Sequence, residues 1–220
     1  MLISEKHKFI FIHIAKVAGQ SVTNALMPYA AKPWQRSLNV LCPYRYQLKL
    51  YSKLKQYGGI SFMPQPFPDH VHSSIVREKM GKEVFRSYYS FAFVRNPWAW
   101  VLSNYTYGLS NPRHSRHDLY KSFDSFSEYL MWHCREDRKI KFQRDYVCDD
   151  QGNVIIDFVG KQERLANDFS IICKTIGVQT SLPTLNVSRH SNYRESYTNE
   201  TRLLVRETFK EDIELFDYEF

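Results

Sequence analysis

The sequence predicts an α/β layered fold built on a mainly parallel sheet, and three observations carry that prediction. Two apolar runs, KFIFIHI at Lys8 to Ile14 and YYSFAFVR at Tyr88 to Arg95, have the Phe- and Ile-rich character of strands buried on both faces. Each runs directly into a segment of helical character. A third strand, expected at Val154 to Val159 after the turn signal Gln151-Gly152-Asn153, is again followed by a helix. Strands alternating with helices put the sheet inside and the helices on its faces, and such sheets bind ligands at the C-terminal ends of their strands.

The elements follow in chain order. After the first strand, Lys16 to Ser21 (KVAGQS) holds small residues and a glycine, and Val22 to Met27 turns helical. Pro28 to Pro68 is rich in proline and aromatic residues, and reads as a partly helical insertion that shapes an acceptor pocket. His72 to Lys82 is helical, with Gly81 near its C-terminal end. Asn96-Pro97 opens a helix to about Tyr107, because proline suits a first turn. Gly108 to Tyr120 is polar and basic (Arg113, His114, Arg116, His117) and reads as a mobile loop. Phe123 to Cys134 is amphipathic, Gln162 to Ile176 is helical with Gly177 as its cap, and Thr198 to about Asp212 closes the chain as a helix with Thr198 as N-cap. No repeat or low-complexity segment interrupts the 220 residues, which read as one domain, 1–220.

Composition excludes several classes. With 43% hydrophobic residues the chain can bury a core, so global disorder is excluded. Its apolar runs fall far short of the ~20 residues of a spanning helix, and Lys6-His7-Lys8 leads into the first expected strand with no signal-peptide pattern. A soluble, cytoplasmic form is therefore expected. The four cysteines, Cys42, Cys134, Cys148 and Cys173, form no CxxC pair and read as reduced thiols. A zinc site from His133, Cys134 and Cys148 lacks paired-ligand spacing, and no nucleic-acid-binding motif is present. Thirty basic against 23 acidic residues give a formal charge of +7, which points to an anionic partner without naming it.

Two sites give that charge a purpose. A loop between a buried strand and a helix N-terminus presents N–H groups and a positive dipole end, an anion site by construction. Ala18 and Gly19 permit close backbone approach, Lys16 adds a charge and Ser21 a hydroxyl. The loop departs from the nucleotide P-loop, GxxxxGK followed by Ser or Thr, because Lys16 precedes Gly19. Taken alone, an ordinary strand-to-helix turn has the same appearance. At the second strand end stands Arg95, whose planar fork suits phosphate. Ser103 lies two turns along the following helix, where the two side chains can clamp one anion.

Together these segments resemble the sulfotransferase superfamily, in particular its carbohydrate-type branch of heparan and chondroitin sulfotransferases with their bacterial relatives. FIHIAKVAGQS is similar to that family's 5′-phosphosulfate loop, and FAFVRNPWAWVLSNY to its 3′-phosphate motif. IDFVGKQERLANDF, LPTLNVSRHSNYRESYTNET and the ending DIELFDYEF resemble its later segments in the same order. The chain departs from the pattern at Ala15 (often Pro), Gln20 (often Thr), Trp100 (often Arg) and Lys161 (Arg). The resemblance implies a P-loop-like three-layer fold and the donor 3′-phosphoadenosine 5′-phosphosulfate (PAPS), leaving as 3′-phosphoadenosine 5′-phosphate (PAP), with no metal. It implies that Lys16, Val17, Ala18, Gly19, Gln20, Ser21 and Val22 surround the 5′-phosphosulfate, that Arg95 and Ser103 hold the 3′-phosphate, and that Ser188 and Arg189 cover the nucleotide.

Sulfuryl transfer to a hydroxyl needs a base, a task that suits histidine. The resemblance places it upstream of the 3′-phosphate motif, at Asp69-His70-Val71-His72, with His72 first and His70 second. The acceptor stays open between a carbohydrate, at a hydroxyl first and an amine second, and a small hydroxylated natural product, and oligomeric state is not legible. Two rivals remain to be weighed. A P-loop NTPase needs the lysine after glycine, and a non-enzymatic polyanion binder needs no paired anion motifs.

Overall fold

The computed structural model describes residues 1–30, 67, 69–183 and 192–220. Of the expected insertion, residues 31–66 and 68 lie outside the described residues, as do the expected nucleotide-covering residues Ser188 and Arg189.

The sheet has four strands in the order β1 (Leu2–Ser4), β2 (Phe9–Ile12), β3 (Tyr89–Val94) and β4 (Phe158–Lys161). The β2–β3 and β3–β4 pairs are parallel, with Phe9 opposite Tyr89 and Phe91 opposite Phe158, whereas β1 runs antiparallel to β2. All of β2 and all of β3 after Tyr89 are buried. This is why both read as unbroken apolar runs: central parallel strands have no solvent face. The Phe11 and Phe91 rings stack at 5.3 Å across the pair. Gly160 in β4 admits the Phe93 ring, which a Cβ there would approach to 2.6 Å.

Helices flank the sheet: α1 (Gly19–Ala30), α2 (Ser73–Met80), α3 (Lys82–Arg86), α4 (Pro97–Ser110), α5 (His117–Lys121), α6 (Phe126–Arg135), α7 (Leu165–Thr175), α8 (Asn199–Thr208) and α9 (Lys210–Leu215). The result is the expected α/β three-layer arrangement around a mainly parallel sheet. No helix among the described residues is long and apolar enough to cross a membrane.

Four local expectations are corrected. Strand β1 was not expected, because its three residues lack a period long enough to read. The third parallel strand begins at Phe158 rather than Val154, since the turn at Asp149 to Asn153 folds Val154 back onto Cys148 as an antiparallel bridge. The basic segment from Gly108 is ordered by its own contacts. Arg116 makes a two-pronged ion pair with buried Asp137 at 2.8 and 2.9 Å, and His117 Nδ1 donates to the Gly108 carbonyl at 2.8 Å. The last helix divides at Phe209, a fully buried ring packed edge-on to Trp100 and Phe142. Its start is as expected, with Thr198 and Thr201 forming a reciprocal capping box.

Candidate active site

Between Ile12 and Gly19 the chain turns from strand to helix in a tight loop. Lys16 (φ 63°) and Ala18 (φ 61°) lie in the left-handed region. For residues with side chains this conformation costs on the order of 1–3 kcal/mol and persists only where the surroundings impose it. Val17, fully buried between them, is the anchor that imposes it. Alternating backbone of this kind gathers N–H groups into an anion-binding concavity. The set of N–H groups is narrower than the sequence suggests. Those of Ser21 and Val22 already donate to the Ala18 carbonyl at 3.0 and 3.2 Å, while those of Ala18, Gly19 and Gln20 have no acceptor among the described residues. The Gln20 side chain runs along the exposed helix face to Asn24. Gly19 is required by packing: a Cβ there would lie 1.9 Å from Nε2 of His13.

Two cations from different strand ends meet at this loop. Arg95, just past β3, donates from its guanidinium to the Lys16 carbonyl at 3.4 Å. Burial and then the Arg95 charge push the Lys16 ammonium below the ordinary lysine range. Burial likewise lowers Arg95, against the opposing pull of Glu163. Neither cation is neutralised by a carboxylate ion pair among the described residues, so an anion placed here relieves both. Ser103, also buried, lies on α4 about 9 Å along the axis from Pro97. The helix N-terminus itself is closed to a ligand. Asn96 caps it by accepting from the Trp98 and Ala99 N–H groups, and the Asn96 N–H donates to Glu163 at 2.8 Å.

The support of Arg95 was not legible in the sequence. Gln143, fully buried, receives the Arg95 N–H at 2.8 Å and donates to the Arg95 carbonyl at 2.7 Å. Asp212 in turn accepts from the Gln143 and Arg144 N–H groups at 2.8 and 2.9 Å, and burial pushes its carboxyl up to about 6. Each contact spans 48 or more positions of sequence, so no local pattern announces it. Gln143→Ala is expected to cost about 2–4 kcal/mol, because two main-chain groups lose their partners. A denaturant midpoint within error of the wild type would contradict this.

Of the expected histidines, His72 is the N-cap of α2, its ring edge-on to Tyr146 at 4.7 Å. His70 is tied to the loop instead: its Nδ1 lies 3.0 Å from the His13 carbonyl oxygen, and the His13 and His70 rings meet at 4.8 Å. A carbonyl only accepts, so neutral His70 carries its proton on Nδ1 and leaves the Nε2 lone pair free. His13 is the residue that sequence reasoning missed. It sits at the end of an apolar run and reads there as a core position, yet its ring covers Gly19 and its Nδ1 lies 3.9 Å from Asp69. The His13 imidazole and the Met1 ammonium hold the Asp69 carboxyl well below the usual range.

A model of the family described as "Sulfotransferase family" matches residues 1–219. The chain belongs to that family. Among individual proteins, it is 32% identical over 127 residues to an "Uncharacterized protein" of Archaeoglobus fulgidus, covering 55% of this chain and 95% of that one. It is also 23% identical over 198 residues to carbohydrate sulfotransferase 14 of Danio rerio, covering 80% of this chain and 48% of that protein. The chain thus spans about half the length of the Danio rerio relative. Membership makes sulfuryl transfer the general chemistry of this sulfotransferase-family chain. Two of its departures from the family pattern touch each other: the Trp100 indole N–H donates to the Ala15 carbonyl at 2.7 Å, bracing the loop against α4.

Proposed function

We propose that the chain is a PAPS-dependent sulfotransferase of one domain, acting on a carbohydrate hydroxyl. The observation that carries this reading is the meeting of Lys16 and Arg95, two desolvated cations from adjacent strand ends beside a left-handed loop. PAPS carries its 5′-phosphosulfate and its 3′-phosphate on one ribose, so two cations that meet at one loop suit these two neighbouring anionic groups.

In this mechanism the N–H groups of Ala18 to Gln20, with the Ser21 hydroxyl, hold the 5′-phosphate, while Val17 and Val22 set the shape of the turn. Arg95 and Ser103 hold the 3′-phosphate, and Ser188 and Arg189 belong to the same nucleotide site. A histidine takes the acceptor hydroxyl proton. The acceptor oxygen bonds to sulfur as the bond from sulfur to the bridging phosphate oxygen breaks, and PAP leaves with its new charge beside Lys16. Donors preset toward charge that develops in the transition state supply the rate. His72 is the first base and His70 the second reading. His70 is favoured by one specific observation, the hydrogen bond to the His13 carbonyl that frees Nε2 as an acceptor.

The reading is tested by incubating the protein with PAPS bearing a labelled sulfuryl group and a panel of glycans and small alcohols, with products identified by mass. A sulfated glycan is expected. Sulfation of small alcohols alone would replace the carbohydrate by a small hydroxylated acceptor. Salt-sensitive glycan retention with no transfer would favour a polyanion-binding protein.

A further inference from the structure

Lys16 does not hang free at the loop. Its Nζ lies 3.8 Å from the centroid of the Tyr107 ring. Tyr107 stands one turn beyond Ser103 on α4, so both project from the same helix face. The residue is 42% exposed, yet its ring is fixed at the rim: the hydroxyl accepts from Asn111 Nδ2 at 2.9 Å, and the His114 ring stands edge-on at 5.8 Å. The face is left to the ammonium.

We infer that Tyr107 is a positioning residue for Lys16, backing its ammonium with the ring face so that the remaining N–H groups point at the transferring sulfuryl group. The inference rests on the sulfotransferase reading. Its physical need is plain. A lysine stem is flexible, and the Arg95 charge pushes this ammonium away. An aromatic face attracts the cation without neutralising it. A carboxylate would hold Lys16 equally well, but would cancel the charge that the leaving oxygen requires.

Two experiments test it. In protein carrying carbon-13 at the lysine ε-carbons, the Lys16 signal, assigned through Lys16→Arg, is expected upfield of the other lysines by the ring current. It should return among them in Tyr107→Leu, stay displaced in Tyr107→Phe, and remain displaced when PAP is added. An undisplaced wild-type signal overturns the inference. So does a displacement that PAP abolishes, since the ring would then only store the lysine. The second readout is sulfate release from labelled PAPS with water as acceptor: the water oxygen bonds to sulfur, the bond to the bridging phosphate oxygen breaks, and a proton and PAP leave. Tyr107→Leu should lower this rate about tenfold, and Tyr107→Phe less than twofold, with PAP affinity within twofold in both. In a Lys16→Ala background Tyr107→Leu should cost nothing more, and a further loss would show that Tyr107 acts by another route. Wild-type protein that neither binds PAP nor releases sulfate would overturn the sulfotransferase reading and the positioning role with it, and a displaced signal would then mark a structural contact alone.

Discussion

Lys16→Ala is expected to lower turnover by about 10²- to 10³-fold, the usual cost of removing one charged or hydrogen-bonding group that meets a developing oxyanion. PAP binding should survive, because the loop N–H groups, Arg95 and Ser103 are untouched. Folding should survive as well: Val17 anchors the loop to the core, and alanine already occupies the left-handed position at Ala18. The measurement is single-turnover transfer from labelled PAPS beside calorimetry with PAP. Wild-type turnover would remove Lys16 from the chemistry. Unchanged turnover with lost PAP affinity would move it from leaving-group stabilisation to nucleotide binding.

The second large effect belongs to the base. His72→Ala is expected to lower transfer by about 10²- to 10⁴-fold with PAP affinity intact, the range for a positioned general base. His70→Ala is the decisive companion. If it collapses transfer and His72→Ala does not, the role passes to His70. Burial first, and the neighbouring His13, hold the His70 imidazole below the ordinary histidine range, opposed by its bond to the His13 carbonyl. A base at His70 therefore stays deprotonated further into acid, and the acid limb of the pH–rate profile should lie below that of an ordinary histidine. His13→Ala separates the two as well. It removes the ring beside His70 and leaves His72 on Tyr146, so a fall in transfer with PAP affinity intact, which shows the Gly19 loop undisturbed, implicates the His13–His70 pair.

Most of the fold was legible where the physics is local. Segments such as FIFI and YSFAFV read as buried strands because they are short, apolar and rich in aromatic and β-branched residues, as a parallel strand covered on both faces is. Asn96-Pro97, Gly177 and Thr198 each mark a helix boundary by what a first or last turn requires. The short β1 and the folded-back Val154 were not legible, because neither has a period, and both exist by pairing with a partner. The basic run from Arg113 to His117 misled for the same reason. Its charge suggests a solvated loop, but Asp137, 21 residues from Arg116, holds it down.

The sequence by itself determined the strand-loop-helix units, the residues KVAGQS and RNP at two strand ends, and the family those residues resemble. These follow from short-range rules of periodicity, capping and spacing. Tertiary structure alone decided that Lys16 and Arg95 meet at one loop, that Gln143 and Asp212 hold Arg95 there, that His13 lies over Gly19, and that Tyr107 receives the lysine. The parallel sheet brings β2 and β3 side by side across some eighty residues of chain. Charge, packing and hydrogen bonding between such distant segments act through space, and no local pattern in the chain encodes them.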